Sequence, residues 1–145
     1  MSIAELRKRS DSFVNNIDAI IERVVNFNSD LEQLNKDQLK DSRLSNDSAI
    51  IPDYSPGYAA WKSQMFRSSF GDGRVNLFLT GDLYNNMDIK VRGKQYEITS
   101  TVPYVRQLSV KYSDKIFGIA PSNQQKAYRV TNSLIAIEYK KLVLA

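Results

Sequence analysis

The stretch MDIKVRGKQYEITSTV, Met87 to Val102, decides the fold class. With Gly93-Lys94 as a two-residue turn, the two arms fall into register: Val91 faces Tyr96, Ile89 faces Ile98 and Lys90 faces Glu97. One face is then apolar and the other carries an opposite-charge pair, the pattern of a half-buried antiparallel ribbon. The spacing predicts strands over Met87 to Arg92 and Gln95 to Val102. No other segment reads as strongly as strand, so the expectation is an α+β fold: a long N-terminal helix, a small antiparallel sheet built on this hairpin, and a C-terminal helix.

Upstream of the hairpin, NLFLTGDLYNNM at Asn76 to Met87 breaks an apolar run with Thr-Gly-Asp. Val75 to Leu79 reads as a short extended or strand-like segment. Thr80 is placed to cap a new helical turn, Asp82 suits the positive end of its dipole, and Leu83 and Met87 share a face. Phe70 to Arg74, FGDGR, is a turn. Before it, Ser55-Pro56 reads as an N-cap followed by a proline at the first helical position, opening a helix on which Tyr58, Trp61 and Met65 lie on one side.

The N-terminal part carries Phe13, Ile17, Ile20 and Val24 at steps of four, three and four, which predicts one helix from Ile3 to Phe27. A shorter helix around Leu31, Leu34 and Leu39 follows. Lys40 to Gly57 is rich in Ser, Asn, Asp and Pro and reads as a long loop anchored by Ile50 and Ile51; loops of that length in small domains are often functional. Beyond the hairpin, Pro103 opens a helix and Lys115 to Ile119 is a short apolar segment. A last helix from Ser122 carries Ala127, Val130, Leu134 and Ile137 and runs into KKLVLA, whose leucines are expected to dock on this subunit or a neighbour. The chain therefore divides into residues 1–39, two helices; 40–57, a loop; and 58–145, an α+β core with its C-terminal helix, all within one domain.

Composition narrows the chemistry. The 145 residues include neither histidine nor cysteine, which removes disulfides, thiolate nucleophiles and the commonest general base and metal ligands. No cofactor and no metal is expected, and no enzymatic activity. No apolar run reaches the length of a membrane span, and the charged residues of the N-terminal stretch do not make a signal peptide, so a protein made in a cytoplasm is expected. The net charge is +4: up to Ser45 there are 7 basic and 8 acidic residues, and after it 13 and 8. The positive bias of the later part can favour an anionic partner.

Several residues are candidates for chemistry or contact. Asp72, Asp82 and Asp88 are conceivable as a carboxylate pair or metal site, although Asp82 has a capping role and GDG at Gly71 to Gly73 reads as a turn without the features of a phosphate loop. Lys90, Arg92 and Lys94 cluster at the hairpin tip, where they are either solvated or a finger for DNA phosphates or an acidic neighbour. This cluster carries the alternative reading of a small basic nucleic-acid-binding module. Tyr54, Tyr58 and Trp61 are candidates for an interface anchor, with core packing an equal account of Trp61. Ile50 and Ile51 in the loop, with Leu142 and Leu144 at the C-terminus, are the further candidates for contacts between subunits.

Taken in order, IPDYSPGYAAWK (Ile50 to Lys62), LFLTGDLYNNM (Leu77 to Met87), the hairpin, VPYVRQL (Val102 to Leu108) and IFGIAPSNQQKAYRV (Ile116 to Val130) resemble the phage virion morphogenesis family. These are tail-completion and head-to-tail connector proteins of the Mu G-like type. Leu77, Thr80, Gly81 and Leu83 match its Leu-x-x-Thr-Gly-x-Leu signature, and Pro103-Tyr104 its Pro-Tyr step. A loop glycine common before the Ser-Pro step is replaced here by SNDSA, and GIAPSNQQ lacks the aromatic that often follows the proline, as in a divergent phage lineage. The resemblance implies a structural protein of the virion neck or upper tail, made in the host bacterial cytoplasm. It implies homo-oligomeric rings of six or twelve copies. Its partners would be other neck, portal or tail proteins, with possible contact to DNA in the channel and none to membrane.

Overall fold

The computed structural model describes residues 1–26, 29–92 and 95–145, and the side chain of Arg92 is outside that description. Helix α1 (Ile3–Asn15) starts at Ser2, whose hydroxyl accepts the Glu5 N–H at 3.1 Å, and α2 (Ile17–Asn26) follows it after one residue. The single long helix predicted from the apolar spacing is therefore two. At Asn16 the backbone leaves helical geometry (φ −110°, ψ 15°), and the Asn16 amide donates to the Ser12 carbonyl at 2.8 Å, so a side chain enters the ladder and ends the first helix. The predicted end at Phe27 lies outside the described residues.

Helix α3 (Asp30–Lys40) is followed by the Lys40 to Gly57 connection, which is more ordered than a loop reading suggests. Arg43 and Ala49 form an isolated antiparallel bridge, the Ser45 N–H donates to the Lys115 carbonyl at 2.8 Å, and Asp47 accepts the Ser122 N–H at 2.9 Å. The first half of the connection is thus fastened to its own chain. Ile50, expected at an interface, is a core residue instead, while Ile51 stays exposed before a cis Pro52.

Then come α4 (Pro56–Met65), the single turns α5 (Arg67–Phe70) and α6 (Asp82–Asn85), and the hairpin β1 (Met87–Arg92) and β2 (Gln95–Ser100). The predicted register is observed at all three pairs: Val91 with Tyr96, Ile89 with Ile98, Lys90 with Glu97. The predicted turn at Gly93-Lys94 lies outside the described residues. Ile89, Val91 and Ile98 are buried and Lys90 and Glu97 exposed, so the period of two sorts these faces as expected, while Tyr96, opposite Val91 at the end of the apolar face, is exposed. The second strand ends at Ser100 rather than Val102, because its partner strand begins at Met87, opposite Ser100, and the residues before Met87 belong to the α6 turn. Helix α7 (Val105–Lys111), a short 3-10 turn (Asp114–Ile116) and α8 (Gln124–Tyr139) complete the chain, and α8 continues as a wider π turn over Lys140–Leu144. The architecture is α+β: helices around a two-stranded antiparallel sheet, with the longest helix near the C-terminus. Among the described residues no helix is long and apolar enough to cross a membrane.

Three apolar clusters hold these elements. The buried face of the hairpin meets α2, α3 and α8 through Val25, Leu31, Ile119 and Ala127. A second cluster joins Leu39, Leu44, Ile50, Val75, Leu83, Tyr84 and Ile116. The third is small: Phe13 and Ile20 pack on Val143 from the π turn, with the Tyr139 ring edge-on to Phe13 at 5.2 Å. Val143 therefore docks on this subunit, while the leucines beside it do not. Ile137, predicted on the inner stripe of α8, is half exposed, and Ile135 and Tyr139 take its place against the core. Each wholly buried aliphatic side chain is worth about 1.5 to 3 kcal/mol.

Buried amides on α3 do the work that a further strand would do. Asn35 donates to the Ile116 carbonyl at 2.9 Å and accepts the Gly118 N–H at 2.8 Å. Gln38 donates to the Gly118 carbonyl and accepts from the Ala120 N–H and the Asn123 amide, all at 2.8 to 2.9 Å. The segment from Ile116 to Asn123 has no sheet neighbour, so these side chains satisfy its buried backbone groups.

Candidate functional site

The segment between Val75 and Thr80, predicted extended or strand-like, is in no strand. Its backbone groups are met by side chains. Asn76 stands at the centre: its amide donates to the Ser69 carbonyl at 3.0 Å, its side-chain oxygen accepts the Phe78 N–H at 3.1 Å, and its carbonyl accepts the Tyr84 hydroxyl at 2.5 Å. The Tyr54 hydroxyl accepts the Leu77 N–H at 3.1 Å, and the Ser69 hydroxyl donates to the Leu79 carbonyl at 2.6 Å. Leu77 is held at φ +54°, a region that costs a bulky side chain free energy and persists only where the surroundings fix it. Gly81 follows at φ +90°, a dihedral that favours glycine, and a Cβ there would stand a tight 3.2 Å from the Phe78 ring. Thr80, expected to cap this turn, accepts the Asp82 N–H at a long 3.4 Å, and the cap position itself is Gly81, because only the left-handed backbone there turns the chain into α6 at Asp82.

The same network holds a lysine. Ser55 caps α4 by accepting the Tyr58 N–H at 3.2 Å, as the Ser-Pro step predicts, and the helix carries Lys62 into the interior. Lys62 exposes none of its surface. Its ammonium donates to the Asn76 side-chain oxygen at 2.7 Å and lies 4.8 Å from the centre of the Tyr54 ring, and it forms no ion pair among the described residues. Loss of water around the charge lowers its pKa from 10.5 to about 8. Burial likewise raises the Tyr54 hydroxyl to about 12 and pushes that of Tyr84 well up.

On the outer side of this network is an open groove of about 790 Å³. One wall is the strained segment from Leu77 to Leu83, the other is Pro52 to Ser55 with Tyr58, and Tyr104, Lys111 and Tyr112 close the end. Asp53 and Asp82 are exposed on it and take part in no ion pair among the described residues. From its mouth a chain of rings runs over α4: Tyr54 to Tyr58 at 4.9 Å, Tyr58 to Trp61 at 5.6 Å, and Trp61 to Phe66 at 5.2 Å. Trp61 is 44% and Met65 67% exposed, so core packing does not account for Trp61. A contiguous apolar surface with aromatic rings and a methionine is the composition of a binding face.

Six predicted residues converge here: Tyr54, Tyr58, Thr80, Gly81, Leu83 and Tyr104 all line the groove, with Pro103 exposed beside Tyr104. Ile51 is exposed next to the groove residue Pro52. Others are not brought together. Ile50 is in the core; Lys90 is exposed on the outer face of β1; Arg92 and Lys94 lie outside the described side chains; Leu142 and Leu144 are exposed beside α1. The three carboxylates are not assembled: Asp72 is bound to Arg74, which holds its carboxyl below the usual range, Asp88 sits opposite Thr99 on the sheet, and Asp82 is in the groove. Among the described residues no group of acidic side chains is placed to hold a metal ion.

Sequence reading missed Lys62 and Asn76. The available signals were slight: a lysine four residues after Tyr58 as the single charge of its helix, and an asparagine inside the run Val75 to Leu79. Compared with family models, curated proteins and solved structures, the chain matches none.

Proposed function

We propose that the chain is a structural protein of the phage neck or upper tail, a ring-forming head-to-tail connector or tail-completion subunit that catalyses no reaction. The observation that carries this reading is the convergence at the groove. The Ser-Pro step, the Thr-Gly turn and the Pro-Tyr step on which the family resemblance rests lie some fifty residues apart in sequence, yet their neighbours line one surface. Tyrosine rings, an exposed tryptophan and rigidly held backbone make that surface suited to recognising another protein. The buried network behind it supports the same reading. Asn76, Tyr54 and Lys62 fix the strained wall in place, and a preformed wall lowers the ordering cost of binding.

The test is the mass of the purified protein across a concentration series, by light scattering coupled to size exclusion, with antibody labelling of virions as a second readout. A discrete species of six or twelve copies and label at the neck are the expected results. Label absent from virions, together with salt-sensitive DNA binding by a monomer, would replace this reading with the nucleic-acid module.

A further inference from the structure

We propose that the tyrosine-lined groove receives the basic, leucine-tipped terminal end of a second copy of this chain, so that subunits join head to tail. The proposal rests on the ring-forming reading and names the two surfaces that such a ring needs.

The two ends of the molecule are complementary. On the groove, Asp53 and Asp82 are exposed carboxylates without an ion-pair partner among the described residues. Among the described residues the one cation lining it, Lys111, lies 5.2 Å from the centre of the Tyr112 ring and forms no ion pair with either. At the other end, Leu142 and Leu144 are 47% and 52% exposed and flank Val143, which is wholly buried against Phe13 and Ile20. Anchoring the residue between them presents the two leucines in a fixed arrangement, at little ordering cost on binding. Leu142 borders a depression of about 620 Å³ shared with Lys8 and Arg9, and Lys140 lies one helical turn before Leu144. Glu5 and Glu138 are engaged by Arg9, Arg23 and Lys141, while Lys8 and Lys140 form no ion pair among the described residues, with Asp11 the further carboxylate near Lys8.

Signs of charge select the mode of contact. Two copies meeting terminal end to terminal end would bring Lys8 and Lys140 against their own copies, and two grooves face to face would oppose Asp53 and Asp82. Both self-complementary arrangements are repulsive, whereas groove against terminal end pairs opposite charges around an apolar centre of tyrosine on leucine. A contact between two different surfaces of one subunit is heterologous, and a ring needs such a contact, repeated by a rotation that closes.

The experiment uses two variants of the full chain. Asp53→Lys with Tyr58→Lys disables the groove; Leu142→Asp with Leu144→Asp disables the terminal end. Circular dichroism checks that each is folded, with Leu144→Ser alone standing in for an end variant that is not. Each variant is expected to be monomeric by light scattering, and an equimolar mixture to give a species of two chains and nothing larger, since only one intact groove and one intact end remain. Folded variants that still assemble as the wild type overturn the docking but leave the ring reading in place. Two monomers that do not pair when mixed overturn the heterologous contact. A wild-type chain that is monomeric at its highest soluble concentration overturns self-docking, and the ring reading is then judged separately, by labelling of virions.

Discussion

Lys62 is a buried cation without a carboxylate partner among the described residues, and replacing it should stabilise the protein. Lys62→Met keeps the length of the apolar stem and removes only the ammonium. Its partner is not orphaned, because the Asn76 side-chain oxygen still accepts the Phe78 N–H at 3.1 Å. The pKa falls from 10.5 to about 8 on burial, so between these two values the folded chain holds the neutral amine while the unfolded chain stays protonated. Wherever the unfolded state binds more protons, stability rises with pH, at most about 1.4 kcal/mol per unit for one group. The contribution is therefore present above the unfolded pKa and is lost as pH falls towards 8. Taking about half the ideal slope, because partial solvation relieves some of the cost, the wild type gains about 1 to 2 kcal/mol between about pH 7.5 and 9.5. At pH 7 the methionine variant should be more stable by a similar 1 to 2 kcal/mol, about 3 to 6 °C in midpoint for a chain of this size. Its stability should also be flat across that window. Above about pH 10 both proteins should weaken. The folded pKa of Tyr54 is raised to about 12, so the stability it contributes is complete below its unfolded value and lost as pH climbs through the folded one. Urea unfolding at half-unit pH steps measures all of this. Parallel pH curves for the two proteins, or a variant less stable than the wild type at pH 7, would refute the account of Lys62 as a net burden that the groove wall carries.

Three further changes probe the supports of the site. Gln38→Ala removes one side chain that satisfies Gly118, Ala120 and Asn123, and should cost about 3 kcal/mol in urea unfolding, since it leaves several enclosed polar groups unpaired; a loss under about 1 kcal/mol would mean that water replaces the amide. Gly81→Ala places a Cβ 3.2 Å from the Phe78 ring at φ +90° and should cost about 1 to 2 kcal/mol, with Gly81→Asn less damaging than Gly81→Val because asparagine tolerates the left-handed region better. Val143→Ala should cost about 2 kcal/mol and expose α1 to limited proteolysis before the hairpin is touched, because Val143 is the buried residue that ties the π turn to Phe13 and Ile20.

The sequence by itself determined the local elements. The hairpin register was legible because side chains alternate with a period of two, so a shift by one residue would turn Ile89, Val91 and Ile98 to solvent. The start of α4 was legible because a serine cap followed by proline acts over three residues, and the turn after Thr80 was legible because glycine followed by aspartate is local turn chemistry, although Gly81 and not Thr80 is its cap. Many of the groove's residues could likewise be named in advance, since they belong to these short motifs. Tertiary structure decided the rest. Asn16 splits a helix whose apolar spacing is unbroken; Ile50 goes to the core and Ile51 to the surface, although they are adjacent and alike. Gln38 reaches residues more than eighty positions away, and Asp47 holds Ser122 across seventy-five. Lys62 meets Asn76 only because α4 folds back over the segment that follows it. A periodic pattern records which face of an element is apolar. It does not record which distant polar group that face will meet, and here those meetings fix the strained wall of the groove.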